Sequence, residues 1–125
     1  MLIFAAFLLF ALGVMHSVLG GKRLIAPILA RSDLPVILGS LDNTRITLRV
    51  GWHILTLFWW GQAVVLVVIA VAPEHVMSAF LLSLSGCCAV TGVLALVLSR
   101  AKHLSWILFL PLALITFYAA IWGGV

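Results

Sequence analysis

The chain has 125 residues, 66% of them hydrophobic and 8% charged, with a formal net charge of +4. A soluble domain carries about 25% charged residues, so the composition excludes a water-soluble globular protein and indicates an integral membrane protein. At about 20 apolar residues per spanning helix, residues 1–125 accommodate four spans and one substantial loop in a single all-α domain, an integral membrane four-helix bundle.

Backbone groups in lipid must be paired within their own helix, and no alternating strand pattern suggests a barrel. In a soluble protein the positive charge would raise nucleic acid as a partner. Here the cations are confined to connections, so the charge reads as topology and no nucleic acid is expected.

Span one covers about 2–20. No Lys or Arg precedes its apolar run and no A-x-A-like cleavage site follows, so it reads as a retained helix rather than a secretory signal. Gly13 and Ser17, four apart, make a face where another helix can approach closely. His16 lies beside that face, about one turn from the end.

The first connection runs from Lys22 to about Asn43. Leu24, Ile25, Ile28 and Leu29 recur at helical spacing among Lys22, Arg23 and Arg31, which predicts a short helix lying in the headgroup plane. Ser32 and Asp33 before Leu34 and Pro35 predict the cap of a second short helix ending near Gly39. Asp42 or Asn43 is then expected to cap the extended start of span two.

Span two covers about 50–72 and stops at Pro73. From Thr44 to Trp60 the chain changes from basic and polar to apolar, and Arg45, Arg49, His53, Thr56 and Trp60 fall on one helical stripe. Trp59 and Trp60 lie roughly 14 Å inside the start of the span at about 1.5 Å per residue, too deep for an interfacial aromatic belt. Gln62 is also near mid-depth. Buried indole and amide groups need partners, so these three residues are expected to face the interior.

Spans three and four cover about 77–99 and 104–125. In span three Ala79, Ser83, Cys87, Thr91, Ala95 and Ser99 form a ridge of small residues at four-residue intervals, suited to close packing as the bundle's spine or a dimer seam. Cys87 and Cys88 have no metal or redox spacing and read as small buried hydrophobes. Pro111 removes one hydrogen bond from span four and is expected to kink it.

All seven Lys and Arg residues fall in the first and third connections. By the positive-inside rule both termini face out and the basic side faces the cytoplasm. Lys22, Arg23, Arg45, Arg49, Arg100 and Lys102 are then the expected contacts for anionic headgroups or an anionic ligand.

The same topology gathers His16, His53 and His103 at one end. These three are the candidate ligands for a metal, or for a haem held by two of them. Trp52, Thr56, Trp60 and Gln62 are the candidate pocket wall. The competing expectation is that these histidines are hydrogen-bonded structural groups, since there is no H-x-x-x-H on one helix and no acidic ligand at a demanding spacing. Ser17 beside His16 lacks a hydrolase elbow.

The stretches His16-Ser17-Val18-Leu19-Gly20, followed by Lys22 to Ile25, and Thr44-Arg45 through Arg49 to Trp52-His53 resemble a group of small, uncharacterised bacterial four-span inner-membrane proteins. The likeness covers about the first half of the chain, and that family's pattern carries an acidic residue where this chain has Gly21. The resemblance implies the four-span architecture and no activity.

Three functions are compatible with these residues. The favoured one is a non-enzymatic accessory or scaffold protein, acting as a homo-oligomer or within a larger membrane complex. The others are a haem- or metal-binding redox protein using the histidines, and a small transporter or channel with a path through Gln62, Ser83, Thr91 and Tyr118. Few intramembrane polar groups are available and no side chain in the middle of a span is ionisable at neutral pH, which ranks the first highest.

Overall fold

The computed structural model describes residues 1–123, which are helical without a strand. The first helix, α1, runs unbroken over Leu2–Leu29. Its middle, His16–Ile25, is wound as a π-helix, and the Ala26 N–H bonds to the Gly21 carbonyl five residues back. Such windings are rare and are mostly single-turn bulges, frequently at functional sites; this one is ten residues long.

The continuity of α1 corrects two expectations, that the helix ends near Gly20 and that a separate interfacial helix follows. A Cβ on Gly20 would lie 2.5 Å from Trp52 Cζ2. The glycine is therefore required by packing and does not mark a terminus. An α-helix of 28 residues would be about 42 Å long, beyond the roughly 30 Å of a hydrocarbon core.

Residues 30–40 are irregular, so the second short helix is also absent. Asp33 is instead gripped by Arg31 through two hydrogen bonds of 2.8 and 2.5 Å. Leu38 and Gly39 take positive φ values of 51° and 82° and turn the chain.

The cap of the next helix, α2 (Leu41–Val71), is Ser40, whose Oγ accepts the Asn43 N–H at 3.1 Å. The expected caps have other work. Asn43 donates its amide to the Leu38 carbonyl, and Thr44, 4% exposed, both donates to the Pro35 carbonyl and accepts from the Ile37 N–H. Asp42 accepts from Arg45 at 3.2 Å. The polar first turn of α2 thus satisfies the loop's backbone.

A 3₁₀ turn, Pro73–His75, leads into α3 (Val76–Leu98), and α4 follows over Trp106–Trp122. Helix α4 begins two residues after its expected start and contains Pro111; the expected end of span four, at 124–125, lies outside the described residues. Three helical stretches, Leu2–Leu29, Leu41–Val71 and Pro73–Leu98, are long and apolar enough to cross a membrane, while α4 is apolar but shorter.

The expected four-helix bundle takes the form of an open row. Helix α1 packs on α2, α2 on α3, and α3 on α4, with no other close backbone contact between long helices among the described residues. Helix α3 presents a small face to each neighbour. Toward α2, Ser83 and Cys87 sit against Gly61, and the Cys87 thiol reaches the Leu57 carbonyl at 3.5 Å. Toward α4, Gly92 admits Leu110 and the Ser85 hydroxyl donates to the Ala113 carbonyl at 2.8 Å. Ser83 and Cys87 of the small-residue ridge are therefore used inside the row, against α2. Cys87 and Cys88 are unbridged and only 4% and 1% exposed, as small buried hydrophobes.

Candidate functional site

Lipid tails are as apolar as leucine, so helices in a membrane associate through close packing and interhelical hydrogen bonds. The α1–α2 seam uses both. Gly13 and Gly20 leave gaps on α1 that the indoles of Trp60 and Trp52 fill, and a Cβ on Gly13 would come within 2.4 Å of Trp60 Nε1. Each indole N–H then donates to a carbonyl of α1, Trp60 to Phe10 and Trp52 to His16, both at 3.2 Å.

His16 returns the bond. Its Nε2 lies 3.3 Å from the Trp52 carbonyl. A carbonyl can only accept, so Nε2 carries the proton. The two rings stack with centroids 3.9 Å apart, and Trp59 meets His16 edge-on.

One residue along, the Ser17 hydroxyl lies 2.9 Å from both His53 Nδ1 and Thr56 Oγ1. Thr56 is 2% exposed, so this relay satisfies a hydroxyl that would otherwise be buried alone.

Toward the basic end this seam opens into a cavity of about 230 Å³ whose lining includes Ser17, Gly21, Lys22, Arg49 and His53. Ser17, Arg49 and His53 also line the top of an apolar groove of about 350 Å³, which continues along Leu57, Trp60, Val90 and Leu94 between α2 and α3. A further cavity of about 170 Å³ lies among α2, α3 and α4 and is lined by Thr91, Ser99, His103 and Ser105. The Thr91 hydroxyl there is buried without a hydrogen-bond partner.

The expected histidine cluster is divided. His16 and His53 share the α1–α2 seam, but His103 belongs to the other side of the row, with Nδ1 2.7 Å from Ser105 Oγ. The cause is the row itself, because α1 and α4 do not touch. Among the described residues no group of three or more His, Cys, Asp or Glu side chains is placed to hold a metal ion. A metal on Nε2 of His16 would have to displace the Trp52 carbonyl bond.

The candidate wall is also divided. Thr56 and Trp60 line the apolar groove, Trp52 is held in the seam, and Gln62 is exposed on the outside of the row. The expectation that Gln62 faces the interior with Trp59 and Trp60 is thus corrected, since the interior of α2 is occupied by Thr56, Ala63 and Val65. The polar path imagined through Gln62, Ser83, Thr91 and Tyr118 is not assembled either: Gln62 and Tyr118 are exposed, and Ser83 packs at Gly61.

Arg45 is not free for a headgroup. Its guanidinium donates to the Leu29 carbonyl at 2.9 Å, to the Arg31 carbonyl at 3.3 Å and to Asp42. It closes the C-terminal end of α1, where a cation is favoured by the helix dipole. Lys22, Arg23, Arg49, Arg100 and Lys102 have no ion-pair partner among the described residues. The exposed Arg31–Asp33 pair is self-contained: hydrogen bonding to Arg31 holds the Asp33 carboxyl below the usual carboxylate range, and Asp33 raises Arg31 in turn.

Sequence reasoning missed the role of Gly20, the Ser40 cap and the Arg45 clamp. The signal for Gly20 was present in its seven-residue spacing from Gly13, opposite tryptophans eight apart on α2. Comparison with known protein families, curated proteins and solved structures found no match.

Proposed function

We propose that this chain is a non-enzymatic accessory or scaffold protein of the bacterial inner membrane. It spans the bilayer four times with both termini in the periplasm, and another polypeptide completes its open row of helices. The observation that carries this reading is Gln62. It is exposed near the middle of the apolar part of α2 and has no partner among the described residues.

An amide facing lipid lacks the hydrogen bonds that water would supply. A neighbouring helix supplies them. A primary amide carries both donor and acceptor, so it pairs with its own kind across a two-fold axis. A second copy of the chain is therefore the simplest partner. The gain expected from such a contact is about 0.6–2 kcal/mol.

The test is self-association in proteoliposomes, followed by energy transfer between donor- and acceptor-labelled protein as the lipid ratio rises. Gln62→Leu is expected to weaken association by roughly 3- to 30-fold, the range of that contact energy. Unchanged association in Gln62→Leu would remove the amide from the interface. The membrane placement is checked separately by labelling residues of the first and second connections from outside intact cells.

A further inference from the structure

We propose that the cavity between the π-helical part of α1 and the first turns of α2 binds a phosphate-type anion, seated among Lys22, Arg49 and His53. The argument begins with charge. The acidic residues at this end of the protein are already engaged, Asp33 by Arg31 and Asp42 by Arg45. The third acid, Glu74, lies in the α2–α3 turn beside His75. No acid is left for Lys22 and Arg49, two cations on the wall of one cavity. Like charges brought together without a counter-ion repel, and an anion between them reverses the sign of that interaction.

The neutral groups suit the same ligand. Ser17 Oγ lies 2.9 Å from His53 Nδ1; when the hydroxyl donates to Nδ1, the other ring nitrogen, Nε2, carries a proton and is a further donor. A phosphate group offers several acceptor oxygens to such a donor-rich wall. The space beside Gly21 is open, since a Cβ there would meet only His53 Cε1, at an ordinary 3.7 Å, so a larger side chain has room to enter the cavity.

The adjoining groove indicates how the anion is carried. Ser17, Arg49 and His53 are common to the polar cavity and the apolar groove. A molecule with an anionic head and a hydrocarbon tail would place one in each. The cavity lies beside Lys22 and Arg49, in the length of α1 and α2 that exceeds a hydrocarbon core. That part of the inference rests on the membrane reading above; recognition of the anion does not.

The experiment uses the full chain in detergent micelles, with ligand retention read by native mass spectrometry. The probes are phosphatidylglycerol, phosphatidylcholine and inorganic phosphate. Phosphatidylglycerol is expected to be retained over phosphatidylcholine. Arg49→Gln is expected to weaken that retention about tenfold, the loss typical of a hydrogen bond to a charged group. Gly21→Glu, which supplies a carboxylate inside the cavity, is expected to do the same. Arg100→Gln, a cation outside the cavity, is expected to change it by no more than about twofold.

Inorganic phosphate that displaces the lipid identifies a site reading the anion alone. Phosphate that fails to displace it identifies a site that also needs the tail. Equal losses in Arg49→Gln and Arg100→Gln, or wild-type retention in Gly21→Glu, would overturn the proposal in favour of diffuse surface charge. Near-UV circular dichroism of the tryptophans verifies that each variant is folded. A protein that binds the anion in micelles but labels as a non-spanning chain would sink the membrane reading and leave the anion site standing.

Discussion

The α1–α2 seam and the α3–α4 seam hold pairs of helices together by different means. At α1–α2, large aromatic rings lie over glycine gaps and reach across to backbone carbonyls, with imidazole and hydroxyl groups between them. At α3–α4, Ser85, Cys88 and Gly92 allow close approach, with one hydroxyl-to-carbonyl bond at its centre. The first arrangement is directional, and the cavity at its margin is lined by Lys22 and Arg49, whereas the cavity bordering the second is lined by hydroxyls and His103 without a Lys or Arg. The second is dense and tolerant, because its main intruder, Leu110, has a flexible end. The cationic lining on which the anion proposal rests lies beside the first seam.

The sharpest way to break this contrast is to add one methyl group to each seam. Gly13→Ala puts a Cβ 2.4 Å from the Trp60 indole nitrogen, and Gly92→Ala puts one 2.7 Å from a terminal methyl of Leu110. The rigid indole must leave its seat and lose its carbonyl bond, at a cost of about 3 kcal/mol. The leucine can change rotamer, but its Cγ at 2.9 Å and Phe109 Cβ at 3.2 Å must also shift, so Gly92→Ala is expected to cost about 1–2 kcal/mol, offset in part by alanine's higher helix propensity. Reversible unfolding in mixed micelles measures both, and equal costs would dissolve the distinction.

A smaller effect is expected at Ser17→Ala, which strands the buried Thr56 hydroxyl and the His53 nitrogen, at about 1–2 kcal/mol. The same assay measures it. A cost near zero would mean that Thr56 bonds back to its own helix once Ser17 is gone. The smallest effect lies on the other side of the row. Ala101 has φ +63° in the α3–α4 turn, a conformation costing a non-glycine residue about 1–2 kcal/mol. Ala101→Gly is expected to stabilise the protein by about 1 kcal/mol, reduced by the extra freedom of glycine in the unfolded chain.

Much of the helical layout is legible in the sequence. Pro73 and the basic turn at Arg100 punctuate the chain where the helices end, and the depth of Trp59 and Trp60 excludes an interfacial belt. The pairing of residues is less legible. Gly20 with Gly21 carries the same local signal whether it ends a helix or seats an indole, and only Trp52, far along the chain, decides between them. Asp42 and Asn43 are good caps in isolation, but Ser40 caps α2 while those two are engaged by Arg45 and the Leu38 carbonyl; Asp33, expected to cap a second short helix, is held by Arg31 in an irregular loop. Mid-span depth and an amide's need for partners together predict an interior Gln62. The row has no enclosed interior at that position, so the amide is left outside.

The position of Cys87 and Cys88 gives the protein a built-in reporter. Both sulfurs lie in α3, shielded by its neighbours, so a membrane-permeant thiol reagent has nothing to alkylate while the row is intact. Modification then proceeds only through transient opening, and its rate under native conditions counts how often α3 separates from the helices beside it.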